Sequence, residues 1–558
     1  MFNKKQNHLI EGNSLSQEDL KASSETLSGN GAMKYSTSGD AFVDNFASIS
    51  KFKKPRSFDE VSADMQELWG ISPENTVKLA LYIRLITRKS QVIDGDESVK
   101  TLDSVQRGQG LKHEGIMRMM WLAINQPDTF KENFPLMIAA GSWKDVIAMM
   151  SIDLQYNGWD GRMLDWNFLR DSIMAGLLNP GTTQLVRKYL PTIRTNAKSA
   201  TLEAQADTLI GRWLAKQLFP KADKAVAYKQ YRQLKAQGTA HEWQQLISKQ
   251  LYDKIDFDKI AGRALAQLVG SKFLENHNLV DRYFDWIKSK PVAKFTGFVY
   301  ELFSPLNDGY STKHIDDYRE HTINAQFNGL IQTAKEGNTV SKLLVVRDTS
   351  GSMTATAAGC NVSSFNIAKA MALYFSEFLE GPFADCFAEF SDECILHKWK
   401  GKTPVDKYVN DDCTSYGSTN FQSVIDLFIN LKIKGVSESD FPEGILCISD
   451  GEFDTFGNNK STNFNTAISR LREAGFSEEY VNNFKIILWD IPNSFYGRVE
   501  AIFEDFADAP NFFYMSGFDP AAVSFLFGKD TPAPKNAEEL FEAAMNQELL
   551  NSVVIPGK

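Results

Sequence analysis

The chain has 558 residues, 43% apolar and 23% charged, with a formal net charge of −10. That length exceeds one ordinary core and implies two or three domains, and the balance is that of globular protein rather than a fibrous or low-complexity chain. No apolar run reaches bilayer-spanning length, and Met1 to His8 lacks the apolar stretch of a secretion signal, so a cytoplasmic protein without a membrane partner is expected.

Residues 1–30 are rich in Ser, Asn, Gly, Glu and Lys, and apolar spacing begins over 31–47; a flexible N-terminal segment is expected over 1–40, with order beginning near Ala41. From 41 to 340 helix follows helix. Ser72-Pro73-Glu74 sets a capping residue before a proline at a first helical position, and Leu79, Ile83 and Ile86 follow at helical spacing. Apolar spacing continues through Ile116, Met119, Met120 and Leu122, then from Phe134 to Met150 with a break at Gly141-Ser142-Trp143. Tyr228, Tyr231, Leu234, Trp243, Leu246, Ile247 and Leu251 extend it, and their spacing assigns these aromatics to a core ahead of any base-stacking role. Serial helices with short connections predict an all-helical, HEAT-like array, whether open or closed into a ring.

From 341 the period changes. Apolar strand-like runs at 343–346, 383–390, 444–448, 484–489 and 511–515 alternate with helical patterns such as Ile367 to Phe375 and Phe421 to Phe428. This βαβ rhythm predicts a three-layer, Rossmann-like α/β domain with a mostly parallel sheet over 341–528. Residues 529–558 then read as one amphipathic helix, either a docking helix or a loose tail.

The chemistry concentrates at the first of these strands. Leu343 to Met353 reads LLVVRDTSGSM: a short apolar run delivers Asp348 to a turn, and Ser350 and Ser352 follow at alternate positions around Gly351, which would spare the turn a Cβ clash. One carboxylate and two hydroxyls at the carboxyl edge of a buried strand suit a hard divalent cation, Mg2+ foremost, with Mn2+ and Ca2+ as alternatives. Two later stretches add to this: Thr419 in a small polar loop before a helix, and Asp450 at the end of a second buried strand. The cysteines are odd in number and none forms a Cys-x-x-Cys pair, and His241-Glu242 has no second histidine in register, so zinc is not indicated.

Asp-x-Ser-x-Ser, a loop Thr and a strand-end Asp, in that order, resemble the metal-ion-dependent adhesion site (MIDAS) of von Willebrand factor A domains. The resemblance implies that Asp348, Ser350, Ser352, Thr419 and Asp450 surround one cation, Asp450 acting through water, and that an acidic protein ligand completes the shell. A helical array followed by such a domain is similar to the Ro autoantigen (TROVE–von Willebrand A) architecture, and closer still to a related bacterial and phage family without an assigned function. The stretches that carry this are Lys34 to Gly39, Arg107 to Glu114, Ala140 to Val146, Tyr228 to Phe257 and Ile448 to Asp454.

In Ro proteins the helices bind small structured RNAs and the ends of misfolded RNAs, so the resemblance implies an RNA partner and a bacterial or infected-host cytoplasm. Residues 181–300 carry 20 Lys/Arg against 10 Asp/Glu, whereas 341–558 carry 17 against 31. The RNA candidates drawn from that basic middle are Arg187, Lys188, Arg194, Lys198, Arg212, Lys216 and Arg232; each also reads as an ordinary solvated charge. The competing expectation is a metal-dependent protein-interaction or assembly factor without RNA binding. An enzyme ranks last: Gly401-Lys402-Thr403 lacks the upstream glycine of a phosphate loop, and no Gly-x-Ser-x-Gly elbow surrounds the serines.

Overall fold

The computed structural model describes residues 24–27, 30–48, 56–85, 108–195, 201–238, 242–295, 297–308, 311–337, 343–357, 361–412, 416–455, 461–491, 509–516 and 534–557. A hairpin comes first, β1 (Glu25–Leu27) and β2 (Met33–Tyr35). Helices follow: α1 (Ala41–Ser48), α2 (Phe58–Ile71), α3 (Pro73–Arg84), α4 (Lys112–Asn125), α5 (Pro127–Ala140), α6 (Trp143–Asn157), α7 (Trp166–Leu178) and α8 (Thr183–Tyr189). Next are α9 (Leu202–Leu218), α10 (Lys224–Ala236), α11 (Glu242–Ser248), α12 (Gly262–Gly270), α13 (Phe273–Asn276), α14 (Val280–Ile287), α15 (Val299–Phe303) and α16 (Asp317–Gly337). A short ladder of β3 (Asn307–Asp308) and β4 (Ser311–Thr312) separates the last two.

Local chemistry sets the helix boundaries. Ser57 Oγ accepts the Glu60 amide while the Glu60 carboxylate accepts the Ser57 amide at 2.7 Å, a reciprocal cap at the start of α2. Such a cap contributes about 1 kcal/mol. Ser72 caps α3 by accepting the Asn75 amide, with Pro73 at its first position. At the break between α5 and α6, Asp145 accepts the Ser142 amide at 2.9 Å and holds Arg84 of α3 at 2.9 Å. A Cβ on Gly141 would fall 2.1 Å from Asp145 Oδ2, so this corner closes only around glycine. Leu79 and Ile83 are wholly buried; Ile86 lies outside the described residues.

The α/β region holds β5 (Leu343–Asp348), α17 (Ser364–Ser376), β6 (Cys386–Phe390), β7 (Cys394–Lys398), α18 (Pro404–Val409), α19 (Gln422–Ile433), β8 (Gly444–Ser449), α20 (Asn463–Glu473), α21 (Glu478–Asn483), β9 (Lys485–Asp490) and β10 (Phe512–Ser516). One six-stranded sheet runs in the order β10-β9-β8-β5-β6-β7, parallel except for the β6–β7 pair. Alternation sends Val345 and Leu446 to a core shared with α17, and Leu344, Val346, Ile445 and Cys447 to one shared with α19. With both faces covered, β5 and β8 are buried throughout, as central parallel strands require. The antiparallel edge strand β7 had no counterpart among the expected runs.

Two stretches pack across the expected boundaries. The flexible segment expected over 1–40 does not extend through its second half: Ala32 and Tyr35 join the α/β core beside Phe453, Phe464 and Leu488. The last helices before the expected boundary at 340 also pack across it. α15 and α16 pack into the α/β core, with Phe303 stacked on Tyr408 at 4.4 Å and edge-on to Phe327 at 5.5 Å.

The C-terminal stretch is a docked helix, α22 (Ala537–Met545), and not a loose tail. Its Leu540 enters the α/β core, while Phe541, Ala544 and Met545 enter the helical core against Phe42 and Phe46 of α1. Beyond it, the Asn133 side chain brackets Val554, donating to its carbonyl at 2.6 Å and accepting its amide at 2.9 Å. The α/β region thus touches both ends of the helical run, α1 through β10 and α22, and α15–α16 through α17 and α18. Among the described residues no helix is long and apolar enough to cross a membrane.

Candidate functional site

β5 sits where the strand order reverses. The chain leaves it through α17 toward β6, and returns from β7 through α19 to β8 on its other side. Loops leaving β5 and β8 therefore diverge to opposite faces and open a crevice at their carboxyl ends, the usual ligand position in such sheets.

Three loops are laced together there. Asp348, the last residue of β5, is wholly buried; one oxygen accepts the Ser350 amide at 2.8 Å and the other the Ser449 hydroxyl at 2.5 Å. Ser350 and Ser352 bring their hydroxyls within 3.1 Å of each other. The Gly351 amide reaches the Gly417 carbonyl at 3.3 Å, joining the first loop to the second. In the second loop Thr419 is buried, its amide donating to Asp454 Oδ2 at 2.8 Å while its carbonyl accepts the Asp454 amide at 2.9 Å. That exchange ties it to the third loop, where Asp450 is buried beside Gly451. Gly351 itself has open space around an added Cβ, so the expected steric need for glycine there is absent. The left-handed position is Gly451, at φ +72°.

Burial pushes the Asp348 carboxyl up to about 6, and the like charge of Asp454 adds to this, against the Ser350 and Ser449 hydrogen bonds. Among the described residues it has no ion-pair partner. By chemistry, the two carboxylates and three hydroxyls of Asp348, Asp450, Ser350, Ser352 and Thr419 suit a hard cation, although no cluster of three or more acid, histidine or cysteine side chains forms among the described residues. Sequence reasoning missed Ser449 and Asp454, although both lie in stretches it singled out.

Five of the seven basic candidates fall on α8, α9 and α10. Arg187 and Lys188 close α8, and the Lys235 ammonium of α10 donates to the Lys188 and Leu190 carbonyls. Arg194 follows, its amide on Thr208 of α9 at 3.4 Å. Arg212 and Lys216 lie one and two turns beyond Thr208, along one side of α9. Lys198 lies outside the described residues. Arg232 is exposed on α10, and among the described residues neither its side chain nor that of Lys216 makes a hydrogen bond or ion pair.

Two groups the sequence reading did not single out, Lys144 at the start of α6 and Lys112 at the start of α4, join this neighbourhood. Asp207 feels Arg194, Lys235 and Lys144, and Lys112 feels Lys144 and Glu203. Burial holds Lys112, Lys188 and Lys235 below the usual lysine range, and it raises Asp207, as does the neighbouring Glu203.

A family model described as a domain of unknown function (DUF7788) matches residues 342–552, a span that runs through the docked helix α22. No curated protein matches the sequence. Among solved structures, the crystal structure of the Deinococcus radiodurans RO (RSR) protein is similar at 12% identity over 89% of this chain and 95% of that chain, with a TM-score of 0.37. A likeness of that degree adds nothing to the topology read directly from the strands.

Proposed function

We propose that the protein is a binding protein rather than an enzyme, and that its α/β region holds a divalent cation in the manner of a von Willebrand A adhesion site. Asp348, Ser350, Ser352 and Thr419 are the ligands, Asp450 acts through water, and an acidic side chain of a protein partner takes an open position on the ion. The observation that carries this reading is Asp348: a wholly buried carboxylate at the strand-order reversal, with hydroxyls, one amide and another acid around it. A bound Mg2+ supplies the missing positive charge. Calorimetric titration of Mg2+, Mn2+ and Ca2+ into wild type and Asp348→Ala tests this; equal heats from both proteins sink the assignment.

A second activity, Ro-like RNA binding by the helical region, is favoured by the packing of α6 on α4, α8 and α9 and of α10 on α8 and α9, neighbouring helices that carry Lys112, Lys144, Arg187, Lys188 and Lys235, with Arg194 just after α8. Asp207 and Glu203 stand among them and reduce the net charge. RNA binding through such a face falls steeply with salt, because each phosphate contact releases counterions. A titration of structured RNA at rising salt reads this, and absence of binding at low salt removes the RNA role.

A further inference from the structure

The third loop of the candidate site has two sides. One meets the second loop through the Asp454–Thr419 exchange and carries Asp450. The other is covered by residues 30–35 of the N-terminal segment, more than 400 positions away in sequence. The Lys34 ammonium, 1% exposed, donates to the Gly451 carbonyl at 3.3 Å and lies 3.7 Å from the Glu452 carboxylate. Asn30 donates its side-chain amide to the Glu452 carbonyl at 2.7 Å, and its own carbonyl accepts the Thr455 hydroxyl at 3.3 Å. Gly31 bridges Asp454 in antiparallel fashion, and Ala32 and Tyr35 share a core with Phe453. Residues 451, 452, 454 and 455 are therefore each held by the N-terminal segment through a polar contact or a backbone bridge.

We infer that residues 30–35 act as a fourth loop of the cation site, with Lys34 and Asn30 as positioning residues that fix Asp450 through Gly451 and Glu452. The inference rests on the cation reading given above. A lysine can be buried here because Glu452, itself buried, neutralises it, so the pair serves as a fixed strut rather than a competing cation. Docking of the segment pre-organises the loop for the ion, and by linkage the bound ion must favour docking to the same degree.

Trypsin reads the docked state directly, since cleavage after Lys34 requires that its side chain leave the loop. In the full-length protein, Mg2+ should slow appearance of the peptide ending at Lys34, and should not do so in Asp348→Ala. In calorimetry, Lys34→Ala and the less intrusive Asn30→Ala should each weaken Mg2+ by about three- to tenfold, in the range of ordinary site-to-site coupling, with Lys34→Arg recovering most of the loss. Asn30, being exposed, also covers the case in which Lys34→Ala fails to fold. If wild type binds Mg2+ through Asp348 while cleavage after Lys34 and the affinity of Asn30→Ala stay unchanged, the positioning role falls and the site stands. Mg2+ protection that persists in Asp348→Ala also overturns it. Absence of any divalent-ion binding to wild type removes the site and this role together.

Discussion

Arg347 and Asp348 are neighbours on one strand, both wholly buried, and their charges are met in opposite ways. Arg347 lies between two acids, donating to Glu389 at 3.0 Å and to both oxygens of Asp411 at 2.5 and 2.9 Å. The helical region follows the same rule. Arg84 meets Asp145, Arg118 meets Glu114 at 3.0 Å, and the buried Asp153 receives four N–H donors, from Asn157, Met163, Leu164 and Trp166. Asp348 alone in this comparison is left with hydroxyls, a single amide and a nearby acid. Networks of the first kind hold the fold, and the contrast at Asp348 is what the proposed cation would answer.

The contrast can be broken at either residue. Arg347→Met leaves Asp411 with Lys369 at 3.5 Å and Glu389 with His397 at 3.0 Å, and should lower unfolding stability by about 3 kcal/mol in urea denaturation; a loss below about 1 kcal/mol would mean the network is slack. In the helical region, reversing Arg187, Lys188 and Arg194 to Glu should weaken RNA binding roughly tenfold or more at low salt and flatten its salt dependence. Unaltered affinity would clear those residues.

Asp207→Asn should do the reverse on the same face, tightening RNA binding a few-fold by removing an acid from among the bases. The same variant has a pH signature. A carboxyl whose folded pKa is raised contributes stability that is present below its unfolded value, near 3.8, and lost as pH rises through the folded one. Wild type should therefore lose stability relative to Asp207→Asn over that acidic window, and a gain there would reverse the assigned cause. Smallest of all, Asp348→Asn without divalent ion should change stability by no more than about 1 kcal/mol, because no ion pair is broken. A loss as large as that of Arg347→Met would make Asp348 a structural acid.

What was legible in the sequence follows from how each signal arises. Leu343 to Val346 and Ile445 to Ile448 are apolar on both faces, which only a covered strand requires, and the polar residues after them mark the sheet's carboxyl edge. β7 escaped because it is an edge strand, half-exposed, with His397 and Lys398 breaking the apolar run. The packing of α15 and α16 onto the α/β core was not legible because Phe303 and Phe327 read as any amphipathic helix would, and only packing shows which core receives them. The burial of Lys34 was illegible: a lone lysine in a polar stretch reads as surface, and its burial depends on Glu452, more than 400 residues away. Lys112 and Lys144 were missed for the same reason, since helix packing, not sequence proximity, brings them toward Arg194.

The central claim is that the open charge at Asp348 is closed by a divalent cation. Calorimetric titration of Mg2+, with Mn2+ and Ca2+ in parallel, into the full-length protein and into Asp348→Ala tests it most directly. The account predicts one saturable site in wild type and none in the variant. Identical titrations, or no binding in either, would contradict it.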